Sequence, residues 1–257
     1  MPSVAHMINF GDIEVPRMGL GTNRLIETAA NVEFIRSVSG TGVGLVDTAH
    51  LYTGGSSEAT IGAALPGTHQ GLIVATKGGF RPGEGKRDVL SAQIEESLRK
   101  LQTDSIDLYY LHRIDPETPF EETASVLAAF HEAGKIRRVG ISHVSIAQIE
   151  KARRIVPISA VQNQYNLADH GCDDVVDYCL AQGIVFVPYY PLHGEHPRLF
   201  DIARSHGATP TQIKLAWLLR RSPNILPIPG TLDLDHVREN VAALELELTD
   251  EEFAALA

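Results

Sequence analysis

Short β-branched or apolar runs alternate along the whole chain with amphipathic stretches of helical spacing, and this alternation is what most limits the folds open to it. The runs are RMGLGT (17–22), GLVDTA (44–49), GLIVATK (71–77), SIDLYYLH (105–112), KIRRVGIS (135–142), ISAVQNQY (158–165), GIVFVPYY (183–190) and NILPIPG (224–230). Between them, Val89, Leu90, Ile94, Leu98 and Leu101 mark one apolar stripe over 88–101. Phe120, Val126, Leu127 and Phe130 mark another over 119–134, with Gly134 placed as a C-cap. Eight strand–helix units in 257 residues predict an α/β fold, a (β/α)8 TIM barrel; a doubly wound open sheet is the alternative. Ahead of the first unit, MINFGDIEV (7–15) predicts a short N-terminal β-hairpin turning at Gly11-Asp12, placed to plug the bottom of the barrel. GGFRPGEGKRD (78–88) reads as a loop. No Ser/Gly/Pro-rich linker divides the chain, so residues 1–257 are expected to form a single domain.

The formal net charge of −10, with no basic cluster, argues against nucleic acid and anionic membranes as partners. It does not exclude an anionic cofactor, which needs only a local positive site. Cys172 and Cys179 are too few for a disulfide framework and read as reduced thiols of a cytoplasmic protein. There is no charged-then-apolar leader and no apolar run near the roughly 20 residues of a membrane span. No interface stripe stands out, so a monomer is expected.

Barrel enzymes place their chemistry at the C-terminal ends of the strands. Here polar residues end one run after another: Asp47, Lys77, His112, Ser142 with His143, Gln162 with Asn163, and Tyr189. Asp47, Lys77 and His112 come from three consecutive units, and Tyr52 lies on the loop after Asp47. Together they suit carbonyl reduction, in which negative charge builds on oxygen as hydride reaches carbon and a proton must follow. A free tyrosine has a pKa of about 10, and a nearby ammonium favours its phenolate. Tyr52 is therefore expected to be the acid, Lys77 its tuner, Asp47 the partner of Lys77, and His112 the group that orients the carbonyl.

LVDTAHLYTGGSSEATIG, VATKGGF, LYYLHRID, GISHVSIAQIE, VQNQYN, VPYYPL and IPGTLDLDHVREN resemble, in order, the motifs of the aldo-keto reductases. The resemblance spans most of the chain and implies that Asp47, Tyr52, Lys77 and His112 form that family's catalytic tetrad. It also implies a nicotinamide dinucleotide lying across the barrel mouth; GTGVG (40–44) has the wrong spacing for a Rossmann loop and precedes its strand. On this resemblance Ser142, His143 and Asn163 hold the carboxamide, Tyr189 stacks on the nicotinamide, and Tyr190, Pro191 and Leu192 run along the pyrophosphate. Gly21, Thr22 and Asp47 border the cofactor at the first two strands. Gly230, Thr231 and His236 reach its phosphates, and Glu239 with Asn240 its adenine. Three departures stand out: His143 where many members carry asparagine, Tyr190 where serine is common, and Gly230 and His236 where many place a lysine and an arginine against the 2′-phosphate. Thr231, His236 and Arg238 are the alternative phosphate contacts, and NADPH is expected ahead of NADH, with Asp233 repelling an added phosphate if it points inward.

The top loops are short, and the mouth is expected to be open to a small-molecule carbonyl substrate. The stretch 157–248 is most similar to a bacterial branch that includes pyridoxal reductase-like members, which implies pyridoxal or another small aldehyde. His50, Phe80, Arg113 and His193 are candidate pocket residues, and Trp217 is expected in the core. Rival readings are a barrel aldolase using Lys77 as a Schiff base, a cofactor-binding regulatory module without significant turnover, and a ketoreductase with a dedicated substrate.

Overall fold

The computed structural model describes residues 6–67 and 71–256. Its alternation of elements is organised by one curled parallel sheet. A hairpin comes first, with β1 (Met7–Asn9) antiparallel to β2 (Glu14–Pro16). Phe10 N donates to Ile13 O across its turn at 2.8 Å, and Gly11 has φ +95°, a conformation that glycine adopts without steric cost. The sheet follows: β3 (Gly19–Gly21), β4 (Leu45–Asp47), β5 (Ile73–Gly78), β6 (Leu108–Leu111), β7 (Val139–Ser142), β8 (Ile158–Gln162) and β9 (Val185–Phe186). These seven strands lie in sequence order with every neighbouring pair parallel. A doubly wound sheet reverses its strand order at a switch point, and this sheet does not.

The run at 224–230 departs from its expected strand. Among the described residues it forms no ladder, because Pro227 and Pro229 have no N–H to donate. Its other groups still reach both edges of the sheet. Gly19 N donates to Pro227 O at 2.8 Å and Gly21 N to Pro229 O at 3.1 Å on the β3 side. Leu226 N donates to Phe186 O at 2.9 Å, and Phe186 N to Asn224 O at 2.8 Å, on the β9 side. Isolated bridges at Gly21–Gly230 and Phe186–Ile225 mark the two seams.

Helices α1 (Ala29–Val38), α2 (Ser56–Ala64), α3 (Arg87–Leu101), α4 (Phe120–Glu132), α5 (Ile146–Arg153) and α6 (Asp173–Ala181) follow β3 to β8 in turn. After β9 come α7 (Leu199–Ser205), α8 (Pro210–Arg221), α9 (Leu234–Ala242) and α10 (Asp250–Leu256). Local chemistry sets their ends. Gly134, at φ +73°, closes α4 with Gly134 N donating to His131 O and Lys135 N to Phe130 O, the paired bonds of a Schellman motif. At α8 the Thr209 hydroxyl accepts from Gln212 N while the Gln212 side chain accepts from Thr209 N, and Pro210 takes the first helical position. No helix among the described residues is long and apolar enough to cross a membrane.

The core has two layers. Leu45, Ile73, Leu108, Tyr110, Val185 and Leu226 form an inner cluster on the concave side of the sheet, and the helices pack on the convex side around residues such as Leu98, Leu127 and Trp217. Ile8, Phe10 and Val15 of the hairpin join the inner cluster. Arg138, just before β7, donates from Nε to Phe10 O, and Gly44, just before β4, abuts Pro16. The hairpin therefore sits at the N-terminal ends of the strands and leaves their C-terminal ends open.

A Cβ added at Gly44 would lie 2.2 Å from Pro16 O, a backbone atom that cannot rotate away. Gly44→Ala should cost about 1–3 kcal/mol of stability, in line with other overpacked sites, read as a lower urea midpoint. An unchanged midpoint would mean that the hairpin is not seated there.

Candidate active site

The site is built on a buried ion pair. Asp47 ends β4 and Lys77 lies in β5, and both side chains are essentially inaccessible to solvent. Lys77 Nζ donates to Asp47 Oδ1 at 2.5 Å and to Thr48 O at 2.7 Å. The other carboxylate oxygen, Oδ2, accepts from Gln162 Nε2 at 2.8 Å. Burial alone pulls the Lys77 ammonium toward its neutral form; the charges and hydrogen bonds of Asp47 and Tyr52 together outweigh that, and Lys77 stays above the ordinary lysine range.

Tyr52 begins a short 3-10 turn, Tyr52–Gly55, with four residues between it and the end of β4. Thr53, Gly54 and Gly55 have φ of +50°, +66° and +87°, so three successive left-handed residues turn the chain back over the strand ends. The turn brings the Tyr52 ring to Lys77, with Nζ 5.0 Å from the ring centroid. Burial raises the Tyr52 phenol above its ordinary value, and the Lys77 charge opposes the rise without cancelling it. The ammonium thus limits the upward shift of the phenol but does not bring it below 10, as the sequence had suggested.

His112 follows β6, its ring edge-on to Tyr52 at 6.1 Å and tilted against Phe80 at 4.8 Å. Burial, together with the charges of Lys77 and Arg113, lowers its pKa to about 2, so the imidazole is neutral throughout the physiological range. Its Nδ1 is buried without a hydrogen-bond partner. The four residues expected to carry the chemistry therefore converge.

Above them opens a cavity of about 550 Å³. Of the residues expected to hold a cofactor, Gly21, Thr22, Ser142, Tyr189, Tyr190, Pro191, Leu192 and Gly230 line it with Asp47. His143, Asn163, Thr231, His236, Glu239 and Asn240 do not. His143 stands next to it, its Nδ1 3.2 Å from the Tyr189 hydroxyl. Asn163 commits its amide to Val144, accepting from the backbone N at 3.0 Å and donating to the O at 2.8 Å. Thr231 accepts from Asp233 N, and Asp233 accepts from Asp235 N, so this carboxylate caps its own helix α9. Glu239 accepts from the Thr209 hydroxyl at 2.6 Å and ties α9 to α8.

Asn23, Arg24, Leu51, Gln162 and Ile228 also line the cavity and were not among the residues assigned to the site. The rule that strand ends carry function would have reached Asn23 and Arg24, which follow the first strand. The tie from Gln162 to Asp47 spans the sheet from β8 to β4, and no local pattern announces it. Phe80, Arg113 and His193 line the cavity, whereas His50 lies between Glu58 and Glu96, at 3.9 and 3.8 Å.

The neutral, buried His112 has a cost in acid. An unfolded histidine takes up a proton near 6.5 and the folded one only near about 2, so between these values the unfolded chain binds more protons and stability falls as pH drops below 6.5. In His112→Gln the slope of unfolding free energy against pH should be shallower by about 0.7 kcal/mol per pH unit at pH 6.5, rising toward about 1.4 a pH unit or more lower. Identical slopes in urea titrations of the two proteins would contradict the buried neutral state.

The sequence pattern of the Aldo/keto reductase family matches residues 17–196 and 194–257. The chain is 36% identical to an uncharacterized oxidoreductase of Schizosaccharomyces pombe, over 99% of this chain and 90% of that protein. It is 34% identical to the pyridoxine 4-dehydrogenase of Escherichia coli, over 98% and 97% of the two chains. The crystal structure of an aldo-keto reductase from Klebsiella pneumoniae in complex with NADPH superimposes with a TM-score of 0.87 at 30% identity, covering 97% of this chain and 93% of that one. With the pattern matched over nearly its whole length and the ion pair, phenol and imidazole gathered at one end of a curled parallel sheet, the chain belongs to the aldo/keto reductase family.

Proposed function

We propose that this protein reduces an aldehyde or ketone to an alcohol with NADPH, in a closed (β/α)8 barrel whose eighth stave is the proline-interrupted segment 224–230. The observation that carries the proposal is the convergence of Asp47, Tyr52 and His112 on one cavity, with Lys77 buried behind them against Asp47 and the Tyr52 ring.

Bound nicotinamide supplies the hydride. The chain's own residues do the rest. Tyr52, protonated at neutral pH, stands as the proton donor to the carbonyl oxygen. Neutral His112 donates a hydrogen bond that orients the carbonyl and meets the charge growing on its oxygen. Lys77 lies beside the phenol as a fixed positive charge, so the phenolate left by proton transfer is stabilised where it forms. Asp47 and Gln162 hold Lys77 in place. An ionised, salt-bridged lysine is a poor Schiff-base nucleophile, which disfavours an aldolase.

The mouth suits an extended dinucleotide. Gly21 and Gly230 leave its floor bare where the backbones meet; a Cβ on Gly21 would lie 2.9 Å from Ile228 O. Ser142, His143 and Asn163 would hold the carboxamide and Tyr189 would face the ring. Tyr190, Pro191, Leu192 and Gly230 would border the pyrophosphate, with Gly21 and Thr22 alongside. Thr231 and His236, at the start of α9, would meet the 2′-phosphate, beside the Asp233 carboxylate that already caps this helix. Glu239 and Asn240 would border the adenine. In favour of NADPH, the Klebsiella pneumoniae relative was crystallised with it. Pyridoxal is the first substrate to try, given the Escherichia coli relative. The two free, buried thiols support a cytoplasmic, reducing setting, and a monomer is the working assembly.

The test is loss of NADPH absorbance with purified protein and pyridoxal, beside NADH and a panel of simple aldehydes. NADPH oxidation is expected; bound but unoxidised NADPH with every carbonyl would overturn the reductase reading in favour of a sensing role. Tyr52→Phe and Lys77→Met should each lower turnover by about 10²–10⁴-fold, with cofactor affinity, followed by fluorescence titration, changing little. Full activity in Tyr52→Phe would end its assignment as the acid.

A further inference from the structure

We propose that the substrate bears an oxyanion within a few bonds of its carbonyl and that Arg113 is the residue that reads it; this rests on the reductase reading above. Arg113 directly follows His112 beyond β6 and lines the cavity. Its guanidinium carbon lies 5.8 Å from the centroid of the Phe80 ring, which in turn packs on His112. The cation is thus braced on an aromatic face beside the group that receives the carbonyl.

What sets Arg113 apart is its lack of a partner. Its Nη1 is buried with no hydrogen bond, and among the described residues no carboxylate pairs with the side chain. Other shielded arginines are satisfied: Arg138 binds Phe10 O and Asp12, and Arg221 binds Asp173 and Asp177. Among the described residues Asp47 is the one acidic residue lining the cavity, and its oxygens are engaged by Lys77 and Gln162. The charge on Arg113 instead faces two imidazoles, His112 and His143, and helps to keep both neutral. A half-buried guanidinium with free donors is costly unless a counter-charge arrives.

The side of the cavity identifies what brings that charge. The candidate cofactor groups Ser142, Tyr189, Tyr190 and Gly230 come from the ends of β7, β9 and the 224–230 segment. Arg113 and Phe80 follow β6 and β5, on the side of Tyr52 and His112. A carbonyl held between Tyr52 and His112 places its near substituents on the Arg113 side of the cavity, because the Arg113 guanidinium lies 5.8 Å from the Phe80 ring and that ring 4.8 Å from His112. The guanidinium fork accepts a carboxylate through two parallel bonds; an ionised phenol beside a formyl group, as in pyridoxal, presents the same charge through one oxygen.

Matched substrate pairs test this. In each pair the members share the carbonyl and differ in the anion: 3-formylbenzoate against its methyl ester, and pyridoxal against its 3-O-methyl ether. For the wild type, kcat/KM should favour the anionic member by about 10–100-fold, the range for one charge-assisted hydrogen bond. In Arg113→Met that ratio should collapse toward one through KM, and Arg113→Lys should restore part of it. The ratio cancels any effect of the substitution on the chemical step common to both members. A response confined to the benzoate pair assigns a carboxylate, and one confined to the pyridoxal pair a phenolate. Equal ratios in wild type and Arg113→Met, at whatever absolute rate, overturn the proposal. If no carbonyl is turned over, the reductase reading fails separately, and calorimetric titration with benzoate still decides: binding weakened at least tenfold in Arg113→Met supports an oxyanion site, and no binding by the wild type removes it.

Discussion

The buried pair between Asp47 and Lys77 is the constraint around which the rest of this site is arranged. An unpaired ammonium at zero exposure would be strongly disfavoured, and the pair is stable only because every polar atom in it has a partner: Thr48 O on the lysine, Gln162 on the second carboxylate oxygen. These partners come from β4, β5 and β8, so the sheet must curl for the set to exist at all. The pair leaves a fixed positive charge directly under a phenol, which is the electrostatic condition for a tyrosine that gives up its proton and then carries the negative charge.

The same curl separates two tasks. One end is sealed by the hairpin, with Ile8, Phe10 and Val15 completing the inner core. The other is left open by short strand ends and by a seam at Gly21 and Gly230 where no side chain intrudes. Two further residues at this end hold left-handed backbone without being glycine: His143 at φ +59° and Tyr190 at φ +54°. Asparagine and histidine tolerate that region better than most residues, which gives a physical reason for histidine to stand where many family members carry asparagine. Tyr190 stacks on His193 at 4.7 Å, and this contact gives its strained backbone a local anchor.

Much of this was legible in the chain. The alternation of β-branched runs and amphipathic stripes predicted the parallel sheet, the Gly11-Asp12 turn predicted the hairpin, and Gly134 predicted the end of α4; each is a local signal read over a few residues. That Asp47, Tyr52, Lys77 and His112 come together was legible because strand ends in such folds face one mouth. Less legible was the last unit, where Pro227 and Pro229 look like part of an apolar strand in sequence but withhold the N–H groups a ladder needs. Also illegible were the bonds of Asn163 to Val144 and of Glu239 to Thr209, because they depend on which loops come together.

By itself, the sequence determined the kind and order of the elements and which residue types stand at the strand ends, because periodicity, capping and turn chemistry act through neighbours in the chain. Only the tertiary structure decided the charge states and the vacant partnerships. It buried His112 until its imidazole became neutral, let burial outweigh Lys77 at the Tyr52 phenol, drew Gln162 across the sheet to Asp47, and left Arg113 without a counter-charge. Protonation and pairing depend on desolvation and on distances between residues as many as 115 positions apart, and these are set when the sheet curls and the helices pack around it.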